Sequence, residues 1–227
     1  MTDESYGHEE AAMPTPTFAN LPEDKRARVL NAMKHEFATC SYTRASVDRM
    51  TAAAGISKGS FYQYFEDKRD AYAHLVGGLM RDRLALVDTP VPEASLEQVL
   101  TGLVRGSHGF QARDPLGWSV LARAFAPDSP LDPAALTQDD TDLIRWVERA
   151  VRRGQDDGEL RADVDPATAA WVLVHVMAGL PDHVMRRFGV TAEQAATDGS
   201  AFDRPEIAAV AADTVTLLTA ALAREEL

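Results

Sequence analysis

Residues 46–68 read SVDRMTAAAGISKGSFYQYFEDK, two short helical patterns divided by a glycine. Ser46 is a good N-cap type, and Val47, Met50, Ala53 and Ala54 then recur at helical spacing on one face. Gly55 stands where a positive φ is cheap, and Ile56 supplies the apolar plug of a tight interhelix turn. Ser57 can cap a second helix. That helix buries Phe61 and Phe65, one turn apart, and leaves Lys58, Gly59, Ser60, Tyr62, Gln63 and Tyr64 pointing elsewhere. Helix, glycine turn, helix is the helix-turn-helix arrangement.

The second helix has residues that suit a polyanion. Lys58 sits in its first turn, where a positive charge opposes the helix dipole at a cost of roughly a few tenths of a kcal/mol. Lys68 and Arg69 repeat this at the start of the next helix, which Asp67 can cap. Phosphates at both helix starts would offset that cost, because N-termini and lysines both attract them. Gly59 and Ser60 keep the leading face slim enough to approach base edges, and Tyr62 and Tyr64 bring hydroxyls to its flanks. The competing reading is an ordinary solvated helix with two aromatic core residues.

These residues are also familiar as a group. FANLPEDKRARVLNAMKHEFA (18–38) and YTRASVDRMTAAAGISKGSFYQYFEDKRDAYAHL (42–75) resemble the tetracycline-repressor (TetR) family of bacterial transcription regulators. The resemblance covers about the first third of the chain, and AGISKGSFYQYFEDK is its most specific part. It implies that Ser46, Lys58, Gly59, Ser60, Tyr62, Gln63, Tyr64 and Lys68 face double-stranded DNA, with Ser57 at the helix start. On that resemblance Lys58, Gly59 and Gln63 read bases, while Ser46, Ser60, Tyr62, Tyr64 and Lys68 hold phosphates.

The formal net charge of −12 over 227 residues looks wrong for a DNA binder until it is divided. Residues 21–75 carry 9 Lys and Arg against 7 Asp and Glu, residues 1–20 carry 4 acids and no Lys or Arg, and the remainder holds −10. All four lysines, Lys25, Lys34, Lys58 and Lys68, lie in the N-terminal part. Such asymmetry fits one segment that meets nucleic acid and another that does not. A composition of 45% hydrophobic and 26% charged residues is that of a globular protein. The apolar-rich run near Trp171–Leu180 is too short to span a bilayer and holds His175. The acidic N-terminus lacks the features of a signal peptide, and Cys40 is alone, so a reducing, cytoplasmic setting next to the nucleoid is expected.

In chain order, 1–17 is expected to be a disordered tail, 18–66 a three-helix DNA-binding domain, and 67–227 a helical effector-binding and dimerisation domain. Pro22, Glu23 and Asp24 begin the first helix, and Val29, Leu30, Met33 and Phe37 form its apolar stripe. A long helix from Asp67 to about Val87 follows, with Gly77 and Gly78 in its middle. Further helices are expected over 95–112, 115–126, 134–156, 166–188 and 205–225, about nine in an all-α fold without strand patterns or repeats. Residues 189–204 read as a long polar, mobile connection.

The resemblance implies a homodimer built on the last two long helices. Ala169, Val172, Val176 and Gly179 on one, with Ala208, Ala211, Val215, Leu218 and Leu222 on the other, give small and aliphatic faces that suit close packing. Internal core is the alternative for these faces. Two-fold symmetry places recognition helices roughly 34–36 Å apart, hence a pseudo-palindromic operator. The family also implies an apolar small-molecule effector. Its candidate contacts are Phe110, Trp118, Leu121, Phe125, Trp146, Trp171, His175 and Met177, each of which plain core packing explains as readily.

No catalytic, metal or cofactor arrangement emerges. HEFAT (35–39) has Thr39 where a metalloprotease has its second His, and GISKGS lacks the order of a phosphate-cradling loop. Asp139/Asp140 and Asp156/Asp157 suit caps and turns. The expected function is a sequence-specific DNA-binding regulator, a repressor released from its operator by a small molecule. Alternatives are a regulator without a small-molecule switch, or a helical enzyme or carrier.

Overall fold

The computed structural model describes residues 15–86, 94–124, 128–131 and 141–224. Among them are eleven α-helices and no named strand. They are α1 (Pro16–Ala19), α2 (Glu23–Thr39), α3 (Val47–Ala54), α4 (Lys58–Tyr64) and α5 (Lys68–Leu84), with one turn of 3₁₀ helix at Tyr42–Arg44 before α3. Then come α6 (Leu96–Arg113), α7 (Pro115–Ala124), α8 (Thr141–Asp156), α9 (Pro166–Phe188), α10 (Ala192–Thr197) and α11 (Pro205–Leu222). The all-α class is as the sequence indicates.

Local chemistry sets the boundaries. The Ser46 side chain accepts the Arg49 N–H, Ser57 accepts the Ser60 N–H and Asp67 accepts the Asp70 N–H, so each helix of the DNA module after α2 begins on a capping side chain. Gly55 ends α3 at φ +66°, a left-handed conformation that glycine adopts without a Cβ penalty. Ser95 with Gln98 and Thr191 with Gln194 form reciprocal capping boxes at α6 and α10.

Two apolar clusters hold these helices. One runs from Phe18 through Met33, Phe37, Phe61, Phe65 and Tyr72 into α7 and on to Val190, Ala195 and Phe202. The other joins α6, α8, α9 and α11 around Leu100, Val147, Leu173 and Val215. The DNA module is therefore not a separate body. Its α2 leans on α7, where Lys34 Nζ meets Asp114 Oδ2 at 2.5 Å and Arg123 Nε donates to the Ala38 carbonyl at 3.1 Å. A module of this size buries too little surface alone, so this shared core is what stabilises it.

Several expectations need correction. Residues 189–204 are not a loose connection. They contain α10, which packs on α7 and α2, with Ala195 and Ala196 buried. Polar composition concealed this because the buried residues are small alanines. At the other end, residues 15–17 do not belong to a free tail. The Thr15 N–H donates to the Tyr64 carbonyl at 3.2 Å and its hydroxyl to the Gln63 carbonyl at 2.7 Å. Phe18 then lies 4.8 Å from the Phe65 ring. Within α3, Met50 and Ala54 are buried as expected, but Ala53 is exposed and Thr51 takes its place on the buried side. Residues 1–14, 134–140, Phe125 and Asp139/Asp140 lie outside the described residues.

Candidate nucleic-acid interface and the cavity behind it

Helix α4 presents Ser57, Lys58, Gly59, Tyr62 and Gln63 to solvent, with Ser60 half-buried. Phe61 anchors the helix from below, and Tyr62 stands edge-on against its ring at 5.4 Å. Lys58 Nζ lies 2.8 Å from Asp48 Oδ1 on α3, and that bond holds the Lys58 pKa above its ordinary value. The ammonium is thus poised at the start of α4 without being buried. Gly59 has only the Ser57 hydroxyl near the position a Cβ would take, so the leading face is open to an approaching groove.

A carboxylate on α2 aligns α3. Glu36 accepts the Ser46 N–H at 2.8 Å and takes Arg49 on both its oxygens at 3.0 and 3.1 Å through Nε. Burial alone would raise the Glu36 pKa, but Arg49 and the Ser46 N–H outweigh it and hold the carboxyl below its usual value. Arg49 also donates to the Arg44 carbonyl at 2.8 Å. Glu36 and Arg49 were not singled out in the sequence, since their pairing spans 13 residues and no local spacing signals it.

Two of the expected DNA-facing residues are placed otherwise. Tyr64 is 3% exposed, with its ring 5.8 Å from Phe18 and Lys25 Nζ 5.9 Å from its centroid. It falls one turn after Phe61 and beside Phe65, so it belongs to the buried stripe of α4. Lys68 is half-buried and turned inward. Its Nζ donates to the carbonyls of Tyr42 at 2.8 Å and Ala45 at 3.1 Å and stands 4.3 Å over the Tyr42 ring. It clamps the start of α5 to the turn before α3. Ser46, as a cap with its N–H on Glu36, is half-buried at the start of α3.

Behind this module lies a cavity of about 690 Å³ between α6, α9, α11 and the segment leading into α11. Of the expected contacts, Trp118 and Met177 line it. Phe110 and Leu121 are core residues of the first cluster, and Trp146 packs on the second. Trp171 is 56% exposed on the outside of α9, 4.5 Å from the His175 ring, whose Nδ1–H donates to the Trp171 carbonyl at 2.7 Å. These five were chosen for bulk, but the cavity is defined by residues of mixed size. Gln111, Phe202, His108 and Asp203 line it and went unnoticed.

The expected dimer faces divide similarly. Val172, Val176, Gly179 and Ala208 are exposed, and Leu218 is half-buried. Ala169, Ala211, Val215 and Leu222 are buried within the chain, and Ala211 and Val215 line the cavity. On the outer side Leu217 is 70% exposed, and only Ile207, Val210, Ala211, Val215 and Leu222 of α11 are buried. By length and composition α11, not the run near Trp171, is the helix apolar enough to cross a membrane. Among the described residues no group of three or more His, Cys, Asp or Glu is arranged to hold a metal ion.

Comparison with known proteins agrees with this geometry. The sequence profile of the "Bacterial regulatory proteins, tetR family" matches residues 29–74. The HTH-type transcriptional repressor AcnR of Corynebacterium efficiens is 26% identical over 161 residues, 70% of this chain and 80% of that one. The crystal structure of a TetR family transcriptional regulator from Chloroflexus aurantiacus superposes with a TM-score of 0.70. It is 32% identical and covers 94% of this chain and 100% of its own. The fatty acid degradation regulator FadR of Bacillus halodurans shares the fold at a TM-score of 0.65 and 16% identity, over 88% of this chain and 96% of that one. With its capped α3–α4 pair exposed and its helical body matched end to end, the chain belongs to the TetR family and is a DNA-binding transcriptional regulator, not an enzyme.

Proposed function

We propose that this regulator is a homodimeric repressor whose operator binding is relieved by an apolar small molecule. The observation that carries the effector is the cavity of about 690 Å³, lined mainly by aliphatic and aromatic side chains, with polar and ionisable groups such as Arg83, Glu97 and Arg204 among them. That is the composition and size of a small-molecule site. Dimerisation is supported by the outer faces of α9 and α11, where Trp171, Val172, Val176 and Leu217 are exposed. A run of exposed large apolar residues marks an interaction surface.

The protein works in the cytoplasm, where each α4 of the dimer enters a major groove of a pseudo-palindromic operator. Lys58, Gly59 and Gln63 meet base edges, and Ser46, Ser57, Ser60 and Tyr62 meet phosphates. A ligand that fills the cavity favours a form whose two α4 helices no longer match the half-site spacing. It acts only so far as it binds that form more tightly than the DNA-bound one. The test is selection of bound duplexes from a random pool, then challenge of the winning complex with apolar compounds that raise the thermal midpoint of the protein. Release of DNA by such a compound supports the reading. Stabilising compounds that leave the complex intact overturn the effector role.

A further inference from the structure

The Thr15 N–H donates to the Tyr64 carbonyl at 3.2 Å, and its hydroxyl donates to the Gln63 carbonyl at 2.7 Å. Both acceptors lie at the C-terminal end of α4, where the last carbonyls lack a helical donor. Phe18, 1% exposed, packs on Tyr64 and Phe65 and holds α1 against the same end. The N-terminal part of the chain is therefore anchored on the recognition helix itself, beside the exposed Gln63 side chain.

Residues 1–14, which precede that anchor, carry Asp3, Glu4, Glu9 and Glu10 and no Lys or Arg. A chain reaches at most about 3.5 Å per residue, which puts Glu10 within roughly 18 Å of Thr15 and Asp3 within roughly 42 Å. Helix α4 is only about 10 Å long. All four carboxylates are thus within reach of its face, and the tether gives them a high effective concentration there. The face they reach is cationic. Lys58 is exposed at the start of α4, Arg44 is exposed before α3, and Lys25 Nζ lies 5.9 Å over the Tyr64 ring, next to the anchor. Arg49 is held by Glu36 and Lys68 is turned inward, so four carboxylates are a charge comparable to the cations that remain for an anion.

We propose that residues 1–14 are an acidic competitor of DNA, docking on the cationic surface around α4 and lowering affinity for duplexes of every sequence. Carboxylates and phosphates seek the same cations, so a duplex must displace the segment before it docks. Once displaced, the segment remains tethered as negative charge beside a polyanion. The competition carries no sequence information, because it acts on phosphate-binding charges and not on base contacts. Salt screens it, as it screens any interaction between exposed charges.

The test uses full-length protein and a fluorescein-labelled duplex of random sequence, so it needs neither operator nor effector. Asp3→Asn, Glu4→Gln, Glu9→Gln and Glu10→Gln are introduced together. A control variant removes four carboxylates from the end of α8 and the turn before α9, with Asp156→Asn, Asp157→Asn, Glu159→Gln and Asp163→Asn. That turn bonds to the end of α11 and joins the second apolar cluster through Leu160. In fluorescence anisotropy the N-terminal variant is expected to bind about tenfold tighter at about 50 mM salt, a gain that falls below about twofold at about 300 mM. The control is expected to change by less than about twofold at either concentration. Deletion of residues 2–13 should reproduce the gain without any substituted side chain. Unchanged or weaker binding by the N-terminal variant overturns the proposal. A gain matched by the control also overturns it, by assigning the effect to net charge, and so does a gain that persists undiminished at high salt.

Discussion

Lys58 Nζ at the start of the recognition helix lies 2.8 Å from Asp48 Oδ1 on the preceding helix. Both side chains are well exposed, so the pair contributes little stability by itself. Its consequence is for DNA. Lys58 must exchange a carboxylate for the duplex, and Asp48 then stands as an uncompensated negative charge beside a polyanion. Asp48→Asn is expected to tighten DNA binding several-fold on all sequences. Lys58→Ala is expected to weaken binding and reduce the slope of log affinity against log salt by about one unit. Fluorescence anisotropy at several salt concentrations measures both, and an unchanged slope in Lys58→Ala would remove that residue from the interface.

Lys68 offers the contrasting case. Because its ammonium is committed to the Tyr42 and Ala45 carbonyls and the Tyr42 ring, Lys68→Met is expected to act on folding. A loss of about 1–2 kcal/mol should appear in urea denaturation, with the salt slope of DNA binding unchanged. A variant of normal stability but reduced slope would return Lys68 to the phosphates.

His74 gives the DNA module a dependence on pH. Burial pushes the imidazole below the usual histidine range, with Arg81 adding to the effect and Asp70 opposing it. The rings of Phe18 and Phe65 lie 5.4 and 5.9 Å away. The unfolded chain therefore takes up the proton more readily than the folded one. Stability that is present above the ordinary histidine pKa of about 6.5 is lost as pH falls through it toward the lower folded value. Between pH 7.5 and 5.5 the natural protein should lose more stability than His74→Gln. Equal losses would show that other groups carry the acid sensitivity.

Gly77 in α5 has no close neighbour that requires a glycine. A Cβ there meets only the flexible end of Arg81 at 3.5 Å. Gly77→Ala is thus expected to raise stability by about 0.5–1 kcal/mol, as for a helix glycine with room for a methyl group. Destabilisation on calorimetry would mean that α5 bends at this point in solution.

The exposed outer faces of α9 and α11 lead to a prediction on assembly. Leu217, at 70% exposure, contributes little to the fold of its own chain. Leu217→Glu should leave helicity intact, yield a monomer in sedimentation and abolish tight operator binding. A variant that remains dimeric would move the interface elsewhere.

What the sequence made legible was local. Caps, glycine turns and the Phe61–Phe65 stripe depend on neighbours within a few positions, and α2 to α5, α9 and the all-α class could be read from them. The misplacements were those decided at a distance. Tyr64 is covered by Phe18, and Lys68 is captured by a turn 23 to 26 residues earlier. Helix α10 was concealed because alanines, not bulky residues, form its buried side. The cavity was foreseen in part, through Trp118 and Met177. Part of its wall went unread because Phe202 and Asp203 fall in a segment whose composition reads as solvent-exposed.

The central claim is that the exposed face of α4 reads duplex sequence, once per protomer of a two-fold pair. Selection of duplexes from a random pool by the natural protein and by Gln63→Ala tests it most directly. The account predicts an inverted repeat for the natural protein, with preference relaxed in Gln63→Ala at one symmetric base position and a penalty there of about 1–3 kcal/mol. Failure of the natural protein to enrich any sequence over bulk competitor DNA at low salt would contradict it.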